Sequence, residues 1–275
     1  MSWEVYTLLI LSGAVGGFIS GLIGIGGGVI YVFVIPYALR YCDIPLQWEA
    51  QFVIANSLAA IFFGSITANY THFKKGYFFI KPVLVIGLAA TLSSWLSLHY
   101  FVNTPFFSMG LFLILLIALM VYMLIYTLMG AAQEVDESVT DIPLVGLLLI
   151  GFVSGIVASA SGLGGGIVVI PILNRFFGIN IKKASAISLG VITIASFVIT
   201  LTNITVDTGI EVMGNMGLII PVICLTLSLS VLFTSPLGVI IAHRLPSRAI
   251  SYIYAGILLL VIFSKASSLW SLMYS

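Results

Sequence analysis

Eight apolar runs, at 5–40, 51–70, 77–101, 107–130, 142–175, 184–203, 214–242 and 248–270, fill almost all of this 275-residue chain. That succession leaves little choice of fold. A run of about 20 apolar residues wound as a helix matches the hydrocarbon thickness of a bilayer. Only 7% of the residues are charged and the mean hydropathy is +1.24, whereas soluble domains carry about 25% charged residues. Such a composition cannot cover a globular surface. A transmembrane barrel would need alternating segments of about 10 residues, and the sequence has none. The expected fold is an all-α polytopic membrane protein. The net charge of +1 gives no reason to expect a nucleic-acid partner. Cys42 and Cys224 have no metal-ligand spacing and lie in unlike settings, so neither a metal nor a disulfide is expected. No Lys or Arg precedes the first apolar run, which speaks for a retained first helix rather than a cleaved signal peptide.

The chain reads as two copies of one unit. "GFISGL" at 17–22 answers "GFVSGI" at 151–156, and Gly26-Gly27-Gly28 answers Gly164-Gly165-Gly166. "VIP" recurs at 34–36 and 169–171, each followed four residues later by an arginine, Arg40 or Arg175. "NSL" at 56–58 answers "ISL" at 187–189, and His99 answers His243. Between the copies lies "QEVDESVTDIP", which holds Glu134, Asp136, Glu137 and Asp141 without a basic residue. The expected division is a first membrane repeat over 1–130, an acidic linker over 131–141 and a second repeat over 142–275. Duplicated halves are a common build of transporters.

Loop charges select the topology. If every apolar run crossed once, the basic residues near Lys74 and those near Lys182 would fall on opposite sides, against the positive-inside tendency. If 5–40 and 142–175 are instead hairpins bent at their glycines, Lys74, Lys75, Lys81, Arg175, Lys182, Lys183, Arg244 and Arg248 share one side. Only Arg40 and Lys265 then remain opposite, on the side that carries both termini. This predicts inverted-topology repeats, each a glycine-broken hairpin with a half-helix followed by three transmembrane helices. The termini are expected outside and the acidic linker in the cytoplasm.

The bends have a chemical use. Non-helical backbone at membrane depth must be satisfied by protein, water or ligand. A half-helix that starts after a glycine bend presents unpaired N–H groups and the positive end of its dipole, a ready anion site. The half-helices are expected to start near Val29 and Ile167. The candidate substrate-binding residues are Gly26, Gly27, Gly28, Gly164, Gly165 and Gly166. Ser159 and Ser161 lie beside the second bend, and Asn56, Ser57 and Ser188 come from the following helices. No Lys, Arg, Asp or Glu lies mid-span, which suits an anion that must leave again and offers no carboxylate proton relay. No catalytic residue, cofactor or metal is expected.

The paired "GGG…VIP" segments, the "NSL" and "ISL" positions, "THFKKGYF" and the closing "SPLGVIIAHRLPSRAISYIYAGILLL" resemble the TauE/SafE family of sulfite and organosulfonate exporters. The resemblance runs from Gly17 to about Ile262. It implies export of small sulfur-containing anions across the bacterial inner membrane by a multi-pass protein with periplasmic termini. Members differ in substrate, so the resemblance does not choose among sulfite and the sulfonates. One departure is Ile187, which stands where the first half has Asn56 and puts an even sharing of ligand contacts in question. The partners expected are a small anionic substrate and the lipid bilayer, with a homodimer left open.

Plainer roles compete at several positions. Gly16, Gly17, Gly21, Gly151 and Gly155 read as helix-packing contacts. Ser57 and Ser188 suit a bond to their own helix carbonyls as well as they suit a ligand. His72, His99 and His243 read as interfacial anchors, Lys74 and Lys75 as topology determinants, and Trp95 and Trp270 as lipid-facing belt residues. An anion channel is the main alternative function. An intramembrane serine protease at Ser161 would need a histidine mid-span, and the sequence offers none.

Overall fold

The computed structural model describes residues 3–77, 79–104, 106–130, 142–210, 212 and 214–274. The predicted linker over 131–141 lies outside the described residues. The described residues form ten α-helices: α1 (Trp3–Ile23), α2 (Gly28–Leu39), α3 (Leu46–Lys74), α4 (Ile80–Ser97), α5 (Met109–Gly130), α6 (Leu144–Ser161), α7 (Gly166–Arg175), α8 (Ile181–Ile204), α9 (Pro221–Ala242) and α10 (Ser247–Tyr274). A π-turn, Leu98–Val102, extends α4. Among the described residues, seven helices are long and apolar enough to cross a membrane. The chain is a polytopic all-α membrane protein.

The same order of elements occurs twice. A long helix ends in a glycine bend, a short helix returns, and three long helices follow. α2 begins at Gly28 and α7 at Gly166, one residue before the expected starts. At 12 and 10 residues they extend about 18 and 15 Å at 1.5 Å per residue, far short of the roughly 30 Å of hydrocarbon. They are half-helices.

The two halves do not fold as separate bundles. α1 packs along α9 of the other half, and α6 packs along α4. Between α1 and α9 the backbones touch. A β-carbon on Gly21 would stand 2.8 Å from the Val239 nitrogen, and one on Gly238 would stand 2.8 Å from the Leu22 nitrogen. Without a hydrophobic force to join helices in lipid, such close approach is how membrane helices gain dispersion contact. The packing role read for Gly21 and Gly155 holds; a β-carbon on Gly155 would lie 2.8 Å from the Ala90 carbonyl carbon of α4. Ser94 adds a hydrogen bond to the Gly155 oxygen at 3.1 Å, and Ser235 of α9 one to Gly64 of α3 at 2.9 Å.

Neighbouring ends reveal which helix termini share a face. His72 near the end of α3 contacts His243 after α9, with ring centroids 5.4 Å apart. The Lys182 ammonium, at the start of α8, donates to the His243 carbonyl at 3.2 Å. The ends of α3 and α9 and the start of α8 therefore meet, and Lys74, Lys75, Lys182, Lys183 and Arg244 lie in or next to these ends. Lys265 lies elsewhere, 5.6 Å from the Phe33 ring of α2.

Substituting Gly21 or Gly238 by alanine is expected to separate α1 from α9, since overpacking costs about 1–3 kcal/mol and more where backbone must move. Gly256→Ala adds a methyl that meets nothing within 4 Å and removes a helix-interior glycine. Thermal denaturation in detergent should show a lower midpoint for the first two variants and none for the third.

Candidate functional site

Each bend is built by glycines that only glycine tolerates well. Gly24, Gly26 and Gly27 have φ of 90°, 94° and 70°, and Gly162, Gly164 and Gly165 have 70°, 88° and 73°. A left-handed backbone places a β-carbon against the following carbonyl, so other residues are strained there. α1 stops as the Gly24 N–H bonds back to the Ser20 oxygen at 2.8 Å, and α6 stops as Gly162 does the same to Ala158 at 3.0 Å. The chain then turns through the remaining glycines and re-enters a helix.

The two bends meet. A β-carbon on Gly28 would stand 2.6 Å from the Gly162 oxygen, and one on Gly166 would stand 2.8 Å from the Gly24 oxygen. Positions Gly26 and Gly164 likewise face Leu163 and Ile25 carbonyls at 3.5 Å. The contacts come in pairs, one from each half. Ser57 of α3 donates to the Gly162 oxygen at 2.7 Å, and Ser188 of α8 donates to the Gly24 oxygen at 2.7 Å. Neither hydroxyl bonds its own helix; each fastens the bend of the opposite half.

Ser159 and Ser161 sit on the last turn of α6, but their hydroxyls bond α6 carbonyls, Ile156 at 2.9 Å and Val157 at 2.6 Å. Ser161 Oγ also accepts from the Leu163 N–H at 3.2 Å, which supports the bend. Asn56 faces elsewhere. Its amide donates to Phe52 at 2.8 Å and to the Leu218 oxygen at 3.1 Å, and its Oδ1 accepts from the Ile220 N–H at 2.9 Å. It thereby pins the stretch 218–220 that leads into α9.

Three residues at the crossing escaped the sequence reading. Ile61 of α3 and Ile192 of α8 lie over the bends. The Ile61 side chain would lie 3.0 Å from a β-carbon at Gly26 and 2.9 Å from one at Gly28, and Ile192 2.9 Å from one at Gly166. They occupy matching places in the two halves, a signal visible only once "NSL" and "ISL" are aligned. Tyr31 is the third. It is fully buried, its hydroxyl has no hydrogen-bond partner, and that oxygen lies 2.9 Å from where a Gly27 β-carbon would be. A phenol three residues past the first glycine run was its signal; counted from the helix start, the second half has Val169 there.

The family model described as "Sulfite exporter TauE/SafE" matches residues 9–264. This chain belongs to the TauE/SafE family. It is similar to a protein described as a "Probable membrane transporter protein" from Methanocaldococcus jannaschii, 29% identical over 254 residues, 91% of each chain. A protein of the same description from Haemophilus influenzae is 28% identical over 264 residues, 92% of this chain and 95% of that one. One from Bacillus subtilis, also so described, is 22% identical over 271 residues, with 93% and 95% covered. Members of the TauE/SafE family are membrane transporters, and this chain is one.

For a TauE/SafE transporter the crossing offers a defined chemistry. Neither Gly27 nor Gly165, the residues that precede the half-helices, caps its helix with a side chain. α2 and α7 start beside one another, each helix start next to bend carbonyls of the other half. The residues around them are glycine, serine, isoleucine and tyrosine.

Asn56→Ala would strip partners from the buried Ile220 N–H and Leu218 oxygen, a cost of about 1–3 kcal/mol. The variant is expected to melt earlier, with increased proteolysis or amide exchange confined to 205–220. Ser159→Ala should leave both unchanged.

Proposed function

We propose that this TauE/SafE protein exports a small sulfur-containing anion, sulfite or an organosulfonate, bound where the two glycine bends cross. The observation that carries the reading is the reciprocal crossing of two uncapped half-helix starts. Gly26, Gly27, Gly28, Gly164, Gly165 and Gly166 let the anion reach backbone N–H groups, with Ser57 and Ser188 holding the bends in register. Ser161 supports the second bend through the Leu163 N–H, and Ser159 lies beside it with its hydroxyl on the Ile156 oxygen. Tyr31 adds a hydroxyl at the first.

The halves work as inverted repeats in this reading. α1 lies along α9 in the same direction, since Gly13 faces Leu227 and Gly21 faces Val239, and α6 lies along α4 with Gly151 at Ile86 and Gly155 at Ala90. Each half thus lends its first helix to the fourth of the other, which favours exposure of one site to alternate sides by relative motion. The face that gathers Lys74, Lys75, Lys182 and Arg244 is cytoplasmic by the positive-inside tendency. The membrane is then the bacterial inner membrane, and both termini are periplasmic. Ile61 and Ile192, seated over the crossing, favour a carrier over an open anion channel. The crossing's lack of a nucleophile and base pair favours transport over peptide hydrolysis.

Proteoliposomes loaded with sulfite test the reading. Saturable efflux accelerated by external sulfite is expected. Ser57→Ala and Ser188→Ala should each lower the rate about five- to tenfold, the worth of one hydrogen bond, while the protein stays monodisperse. Flux proportional to concentration without counterflow would replace the carrier by a channel. Absence of flux with sulfite, sulfoacetate and isethionate would overturn the substrate class.

A further inference from the structure

A narrow cleft of about 20 Å³, open at its mouth, lies among α1, α3, α8 and α9 and is lined by Leu22, Ile23, His72, Ile181, Lys182, Ser185, Ala242 and His243. On the α1 side it reaches Leu22 and Ile23, which precede the first glycine bend. Ser185 there is in contact with Gly24; its α-carbon would stand 2.8 Å from a β-carbon on that glycine. One helical turn further, Ser188 holds the Gly24 oxygen. Ser185 thus stands between the cleft and the first glycine bend.

Its polar lining is poorly explained by structure alone. His72 was expected at the interface, as an anchor, yet only 2% of it is exposed and neither ring nitrogen has a hydrogen-bond partner. The Nε2 atom of His243 is likewise buried and without a partner. Buried polar atoms are nearly always partnered, so two imidazoles left this way call for a ligand. His99, in contrast, is exposed and stacks on Trp95 at 5.7 Å, as an interfacial residue would. Lys182 spends one N–H on the His243 carbonyl at 3.2 Å, and an ammonium has three.

The corresponding positions of the other half carry neither a cation nor an imidazole. Gln51 stands in α3 where Lys182 stands in α8, and its amide donates to the Val102 and Phe107 carbonyls, both at 3.1 Å. Ile54 matches Ser185, and Asn203, buried and likewise without side-chain partners, matches His72. The cation, the hydroxyl and the imidazole pair are concentrated in one vestibule.

We propose that this vestibule is a second anion-binding site, in which Lys182, His72, His243 and Ser185 hold a small oxyanion before it reaches the glycine crossing. Its place as an antechamber rests on the carrier reading above; its capacity to bind does not. The shared ligand chemistry is a tetrahedral or pyramidal oxyanion, as in sulfite, sulfate, a sulfonate or a lipid phosphate. The position inside the bundle, above Gly24, favours a free anion over a headgroup. Burial, then the charges of Lys75 and Lys182, hold the His243 imidazole below its ordinary range. The other titratable groups against it are His72, whose ring is 5.4 Å away, and Tyr77, whose ring is 4.8 Å away. A bound anion offsets the two cations, so His243 should take up its proton at higher pH when the site is filled.

Protein labelled with ¹⁵N-histidine, in neutral detergent, tests the site without transport. Sodium sulfite and sodium sulfate should shift the His72 and His243 resonances together, with one saturation constant, and leave His99 unmoved. The His243 titration midpoint should rise. Lys182→Met should weaken binding about tenfold, the loss of one hydrogen bond to a charged group, and Lys182→Arg should restore it. Unmoved His72 and His243 resonances with both anions would overturn the proposal even if sulfite efflux is normal. Shifts that persist in a protein without efflux would sink the carrier reading and keep the site. Shifts produced by phosphatidylglycerol nanodiscs but not by the free salts would assign the vestibule to a lipid headgroup and overturn the proposal for a free anion.

Discussion

Two serine hydroxyls hold this structure's central irregularity. Each glycine bend exposes carbonyls at membrane depth, where no bulk water satisfies them. Ser57 supplies the Gly162 oxygen and Ser188 the Gly24 oxygen, both at 2.7 Å. Because each serine belongs to the half opposite the bend it serves, neither half can form its bend fully alone. The pairing of α1 with α9 and of α6 with α4 follows the same logic. The interlocked halves satisfy the bend carbonyls of Gly24 and Gly162 from outside the bends themselves.

Side-chain chemistry at the crossing is accordingly sparse. A lysine or arginine there would bind an anion more tightly but would also hold it, and would carry a desolvation cost when the anion left. Helix dipoles and N–H groups supply attraction that needs no counterion in the unloaded state. The fixed charge is displaced to Lys182, at the start of α8, next to the water-facing ends of α3 and α9. Attraction at the mouth and mild binding at the centre is an arrangement that lets an ion pass.

Depth along a helix was legible in the sequence, and direction around it was not. Three consecutive glycines in an apolar run marked both bends, and α2 and α7 start within one residue of expectation. Charge asymmetry put Lys74, Lys75 and Lys182 together, as the contacts among α3, α8 and α9 do. The target of Asn56 could not be read this way. Its partners at Leu218 and Ile220 lie in a connection with no counterpart in the first half, more than 160 positions away. His72 shows the same limit, since its distance from the end of α3 suggested an interfacial ring and its azimuth turned it into the bundle. Ile61 was hidden differently. An isoleucine in a membrane helix carries no signal of its own.

The places where the two halves disagree are the most informative positions in the chain. A duplication begins with equal halves, so a polar residue on one side and an apolar one on the other is a change that something has retained or allowed. Tyr31 stands against Val169, Asn56 against Ile187, and Lys182 against Gln51. These differences fall into two physical kinds. Asn56 and Gln51 have amides bonded to backbone carbonyls, and both fasten connecting segments near the start of α3. Tyr31, by contrast, keeps a buried polar atom without a partner, as His72 does at the vestibule. In a transporter whose two halves repeat one order of elements, these unmatched residues are where its two ends come to differ chemically.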